Sequence, residues 1–205
     1  PELSQYTRRA LDVEVGHAST AEARLGRLQA LAAQPWSEER MRTFLADPES
    51  PRADAGALSV ALRRLRRQVM VSLIARDATG AAGLDEVVRT TTALAEVALQ
   101  AAVALHAHEL AEVHGVPASA SGVPQDLLIV GMGKLGGAEL NVSSDIDLIF
   151  VYDEDGTARA QGRYEAATRP LTNHEFFERL GRRVIAALAD VTEDGFVFRV
   201  DMRLR

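Results

Sequence analysis

Asp145, Ile146, Asp147 and Leu148 alternate strictly between acid and apolar residues, and this pattern restricts the fold more than any other stretch of the chain. Successive side chains of an extended strand point to opposite faces, so Asp145 and Asp147 share one face while Ile146 and Leu148 take the other. A strand buried on both faces cannot carry this pattern, because unpaired carboxylates in a core are costly. One face must look onto a core and the other onto solvent or cations. Two acids about 7 Å apart on a rigid strand can bridge a pair of hard divalent cations.

The segment just upstream is rich in glycine. Leu127-Leu128-Ile129-Val130 reads as a short buried strand and leads into Gly131-x-Gly133-x-x-Gly136. Strand plus glycines matches the dinucleotide-binding fingerprint, with Asp153 as its ribose acid. That reading fails downstream of the glycines. Only Ala138 to Asn141 look helical before the acids, too little for a crossover helix, and the acids would open a strand buried on both sides. A phosphate-binding P-loop fails as well, since Lys134 is followed by Leu135 and not by Ser or Thr. A glycine turn beside two metal-binding acids suits phosphate in another way, because its backbone N–H groups can approach anionic oxygens closely. Ser143 and Ser144 either donate to such a phosphate or form a simple turn.

The last residues supply a third acid. If Phe196 to Arg205 is a strand, Arg199, Asp201, Arg203 and Arg205 fall on one face, and Val200, Met202 and Leu204 on the other. A carboxylate among three arginines fits a site that holds metal and phosphate together. Without phosphate, one of these arginines is expected to compete with the cation for Asp201. The chain starts at Pro1 and stops on Arg205 in mid-pattern, and so reads as a piece of a longer protein.

The first 115 residues read as helices. Leu25, Leu28 and Leu31 recur at helical spacing, and Ser37 opens a short second segment. Pro48 to Gly56 is a loop. Leu58, Leu62, Leu65, Val69 and Leu73 mark an amphipathic helix over 57–75, and 85–114 is a long Ala/Val/Leu helix ended by Gly115. Residues 116–125, VPASASGVPQ, read as a poorly packed linker. Thr172 with Glu175 is a capping box that opens a further helix. The expected architecture is α+β: a helical region 1–115, a linker 116–125 and a mixed-sheet core 126–205.

Other features read as structural. His106 and His108 point about 200° apart on a helix and cannot easily share an ion. Arg63, Arg64, Arg66 and Arg67 read as a solvated helix face, with docking to another protein as the alternative. Asp153–Asp155 is a turn, and Trp36 is packing. No apolar run approaches the roughly 18 residues of a membrane span. Absence of cysteine excludes thiolate metal sites and fits a reducing compartment. A formal charge of −6 argues against nucleic acid as the main partner. Cytoplasm is the expected compartment.

A glycine–small pair, an acid-apolar-acid-apolar motif and a later apolar-acid-apolar strand resemble the nucleotidyltransferase superfamily of DNA polymerase beta. Here the last two are Asp145-Ile146-Asp147-Leu148 and Val200-Asp201-Met202. The glycine pair stays open: spacing favours Gly133-Lys134, and residue type favours Gly136-Gly137. More closely, GMGKLGGAELNVSSDIDLIFVY, FFERLGRRVI and GFVFRVDMRLR resemble the glutamate–ammonia-ligase adenylyltransferase family. Members carry two such halves. One attaches AMP to a tyrosine of glutamine synthetase, and the other removes it with phosphate and releases ADP. The wording around Asn141–Asp145 and Asp201–Arg203 is similar to the AMP-removing half.

The resemblance implies Asp145, Asp147 and Asp201 as catalytic metal ligands for Mg²⁺ or Mn²⁺. It implies Gly133, Lys134, Gly136, Gly137, Ser143, Ser144, Arg199, Arg203 and Arg205 as phosphate or nucleotide contacts. The implied partners are glutamine synthetase, phosphate, ADP or ATP, and a nitrogen-signalling regulatory protein acting through the longer enzyme, with no nucleic acid and no membrane. The alternatives are the AMP-attaching half, which uses ATP, and a non-catalytic regulatory module.

Overall fold

The computed structural model describes residues 20–46 and 54–202. Four helices come first: α1 (Ala21–Ala32), α2 (Glu38–Ala46), α3 (Ala55–Ala78) and α4 (Leu84–His114). α1 and α3 start where capping chemistry predicts. Thr20 Oγ1 accepts from the Ala23 amide at 3.1 Å, and Asp54 Oδ1 from the Ala57 amide at 2.8 Å. The five apolar positions picked from the α3 periodicity are all buried. Most of the expected Pro48–Gly56 loop lies outside the described residues.

The second half alternates strand and helix. In chain order it contains β1 (Leu128–Met132), the single turn α5 (Gly133–Gly136), β2 (Ile146–Val151), α6 (Asn173–Ala189) and β3 (Val200–Asp201). The architecture is α+β, with a three-stranded mixed sheet in the order β1-β2-β3. β1 and β2 are antiparallel, paired from Leu128↔Val151 to Met132↔Asp147. Dinucleotide binding needs parallel strands joined by a crossover, so this pairing removes that reading. β3 lies parallel to β2, with Ile146↔Val200 and Asp147↔Asp201. It is shorter than the strand expected over 196–205. Arg203, Leu204 and Arg205 lie outside the described residues.

The capping box of α6 is complete. Glu175 Oε2 accepts from the Thr172 amide at 3.0 Å, and Thr172 Oγ1 accepts from the Glu175 amide at 3.2 Å. The apolar stripe of α6 then seats Phe176, Leu180, Val184 and Leu188 in the core. The core is continuous from the helices to the sheet, joining Leu62 and Leu94 to Ile146, Leu148 and Phe176.

Three expectations change. The stretch 116–125 is packed in its first half: Ala118 and Ser119 are buried, and Asn173 Nδ2 donates to the Ala118 carbonyl at 3.1 Å, while Ala120, Ser121, Val123 and Pro124 are exposed. Its small residues suit close backbone approach, which composition alone cannot separate from looseness. Next, α4 is long and apolar enough to cross a membrane by length and composition, with half of its most apolar window buried inside the fold. Its alanines and threonines hid this from a search for unbroken apolar runs. Finally, the arginine run of α3 is not a solvated face. Arg63 is 2% exposed and Arg66 is 7% exposed.

Candidate functional site

Side-chain alternation on β2 places Ile146 and Leu148 in the core, leaving Asp147 half-buried and Asp145 exposed at the strand entrance. Parallel pairing with β3 sets Asp201 directly beside Asp147. Antiparallel pairing with β1 sets Met132 on the other side, so the chain enters α5 next to the same acid. Gly133 has φ +54, a region that side chains rarely adopt, and a Cβ there would stand 3.2 Å from Asp147 Oδ2. A cleft of about 460 Å³ gathers Gly133, Lys134, Asn141, Ser144, Asp147 and Asp201, with Ser143 and Asp145 on its rim.

The two glycine pairs therefore separate. Gly133-Lys134 lines the acidic cleft. Gly136 is packed against β1, where a Cβ would meet the Gly131 carbonyl oxygen at 2.5 Å, and neither Gly136 nor Gly137 lines that cleft.

Asn141 was missed as a candidate. Its Oδ1 accepts from the Ser143 amide and hydroxyl and from the Ser144 hydroxyl, at 3.2, 3.3 and 2.8 Å. Asparagine two residues before a serine pair is the usual start of such a side-chain-closed turn, and that signal was available. Both serine hydroxyls are engaged in this turn.

Arg199 reaches across to the β2 strand entrance. Its Nε donates to Asp145 Oδ1 at 2.5 Å and its Nη2 to the Ser143 carbonyl at 3.2 Å. Register accounts for this contact: with Ile146 opposite Val200, Arg199 is the cross-strand neighbour of Asp145, about 5 Å away. Arg203 and Arg205 lie outside the described residues.

The donor set fits a hard divalent cation. It consists of carboxylates only, and no described residue donates to the half-buried carboxylate of Asp147, which stands in register with Asp201. Among the described residues no three acids or histidines stand close enough to hold a cation as they are oriented here. Asp145 is turned to Arg199.

The histidines have local partners instead. His106 contacts Glu109 at 3.0 Å, His108 contacts the Tyr164 hydroxyl at 2.8 Å, and His114 contacts the Arg169 carbonyl at 2.6 Å.

An α+β chain whose mixed sheet lines up acids from two adjacent strands beside a glycine turn has the layout of enzymes that transfer nucleotidyl groups. Comparison with known proteins narrows this class. The chain belongs to the glutamate-ammonia ligase adenylyltransferase family, whose model matches residues 18–205. It is 49% identical over 98% of its length to the bifunctional glutamine synthetase adenylyltransferase/adenylyl-removing enzyme of Ralstonia nicotianae, and 46% identical over 99% to that of Aromatoleum aromaticum. The enzyme of Chromobacterium violaceum is 47% identical over the whole chain. The chain spans about a fifth of the length of these relatives, 20%, 20% and 21% respectively.

Proposed function

We propose that residues 126–205 are a nucleotidyl-transfer core that removes AMP from an adenylylated tyrosine of glutamine synthetase by phosphorolysis. The observation that carries the reading is the in-register pair Asp147 and Asp201 beside Gly133, within a chain of this family. The motif wording around Asn141–Asp145 supports the AMP-removing direction over AMP attachment.

In this reaction an oxygen of hydrogen phosphate attacks the phosphorus of tyrosyl-AMP. The new P–O bond makes ADP, the bond to the tyrosine oxygen breaks, and the phosphate proton ends on the phenolate. A phenol has a pKa of about 10, so the leaving group needs little help. The main task is to bring two anions together. Mg²⁺ or Mn²⁺ bound at Asp145, Asp147 and Asp201 would supply the neutralising charge. Lys134 adds an ammonium on the same cleft, and Arg199, once off Asp145, adds a guanidinium suited to phosphate. The Asn141 turn fixes Ser143 and Ser144 at the rim, and the helices hold the sheet from behind.

The test is incubation with adenylylated glutamine synthetase and phosphate. Release of ADP with loss of AMP from the protein supports the proposal. AMP attachment from ATP to unmodified glutamine synthetase would show the opposite direction, and neither activity would leave a non-catalytic module.

A further inference from the structure

Three arginines on α3 grip one turn, and that turn carries the chain from α6 to the third acid. Arg63 is the centre of the grip. Its Nε donates to the Gly195 carbonyl at 2.8 Å, Nη1 to the Ala187 carbonyl at 3.2 Å, and Nη2 to the Asp190 carbonyl. The remaining contacts are to Ser59, with Nη1 2.6 Å from its Oγ and 3.0 Å from its carbonyl. Two of these carbonyls lie at the end of α6, where four carbonyls lack intrahelical partners and a buried cation is well placed. One turn further along α3, Arg67 pairs with Asp194 at 2.9 Å, and the Arg66 guanidinium lies 5.1 Å from the centre of the Phe196 ring.

The gripped segment runs straight to the acid. Thr192 and Gly195 close the turn with paired backbone bonds of 3.0 and 2.9 Å. The Val197 and Phe198 amides both donate to the Leu188 carbonyl, and both side chains are buried. The Arg199 carbonyl accepts from Ile146 at 2.9 Å, and Asp201 is next to Asp147 two residues later. β3 itself is only two residues long, too short to hold its own place. Among the described residues, the turn is the segment tied firmly enough to set its position.

We propose that Arg63, with Arg66 and Arg67, positions the third acid: the helical region sets the height of Asp201 against Asp147 by clamping the 190–196 turn. These are positioning residues, since none lines the acidic cleft. The inference rests on the nucleotidyl-transfer reading for its purpose, but the clamp itself can be tested without it.

The test compares wild type with R63K, R67A and D194N by amide hydrogen exchange, thermal unfolding and Mn²⁺ titration. R63K keeps the charge and loses the planar fork. R67A and D194N remove a partly exposed pair and leave the core intact, so they serve if R63K does not fold. Exchange at residues 197–201 should rise about tenfold or more in the folded variants, with the amides of α4 unchanged. Mn²⁺ affinity should fall by about tenfold in R63K, as for loss of a group that orients metal ligands, and by less in R67A and D194N. Unchanged exchange at 197–201 in the folded variants would overturn the clamp, as would faster exchange everywhere. Faster local exchange with unchanged Mn²⁺ affinity would overturn the positioning of Asp201. A wild type that binds no Mn²⁺ would count against the nucleotidyl-transfer reading instead, a failure that the exchange data keep separate.

Discussion

The guanidinium of Arg199 rests on the carboxylate of Asp145, with Nε 2.5 Å from Oδ1, and both side chains are more than half exposed. This is a surface ion pair, and such pairs contribute about 0–1 kcal/mol. On the proposed metal site it ties up one of the three acids, and cation binding at Asp145 would then be linked to release of the arginine.

R199A should therefore bind Mn²⁺ more tightly than wild type, by about two- to fivefold at low ionic strength. The gain should shrink at high salt, where exposed charges are screened. R199K, which keeps the charge without the fork, should fall between the two. Weaker Mn²⁺ binding in R199A would mean that the arginine helps to build the metal site and does not compete for it.

If the proposed function holds, D145N and D147N should each reduce AMP removal by about a thousandfold, because a lost metal ligand removes several kcal/mol of transition-state stabilisation. Both side chains stand away from the core formed by Ile146 and Leu148, so the melting temperature should change by only a degree or two. Turnover near that of wild type in either variant, at ordinary Mg²⁺, would remove the assignment.

The sequence made the elements legible wherever a local rule acted alone. The capping box at Thr172 and the periodicity of α3 each depend on residues within one or two turns, and both appear as read. The acidic alternation of β2 worked for the same reason, since Ile146 and Leu148 had to be inside. The errors came from contacts between distant segments. Arg63 looked like surface because a carbonyl cluster 124 to 132 residues away cannot be read from α3. The partner of Arg199 depends on β2–β3 register, which alternation within one strand does not fix. The 116–125 stretch looked loose because small residues serve tight packing and flexible linkers alike.

The α6 capping box gives a pH dependence with a definite sign. Hydrogen bonds from the Thr172 amide and hydroxyl hold the Glu175 carboxyl below its ordinary value against the opposing effect of burial, with lesser help from Arg179 and His174. A depressed carboxyl pKa stabilises the fold fully above the ordinary carboxylate range. That contribution is lost as pH falls through the lowered value. T172A should lower the melting temperature by about 2–4 °C at neutral pH, as expected for loss of an N-cap in a chain of this size. The difference between T172A and wild type should narrow in acid, below the ordinary glutamate range. A difference that stays constant down to strongly acidic pH would show that the Glu175 side of the box adds nothing.

Alanine at Gly133, Gly136 and Gly137 should give three different outcomes, and together they decide which glycine serves the site. Gly137 has an ordinary backbone and nothing nearer to its added Cβ than the Gly133 carbonyl at 3.5 Å, so G137A should stay within about 0.5 kcal/mol of wild type and bind Mn²⁺ normally. Gly136 faces the backbone of β1, and a Cβ 2.5 Å from the Gly131 oxygen forces the strand to move. G136A should cost about 1–3 kcal/mol, as overpacking does, whether or not metal is present. Gly133 combines a left-handed backbone, worth about 1–2 kcal/mol against alanine, with a Cβ 3.2 Å from Asp147 Oδ2. The carboxylate can swing away, so relief of the contact would come at the expense of the metal site. G133A should therefore lose Mn²⁺ affinity by more than its loss of stability explains, measured by titration at a temperature where the variant is fully folded. If G133A binds Mn²⁺ as wild type does and G137A does not, the glycine pair beside the acids has been misassigned, and Gly136-Gly137 takes its place.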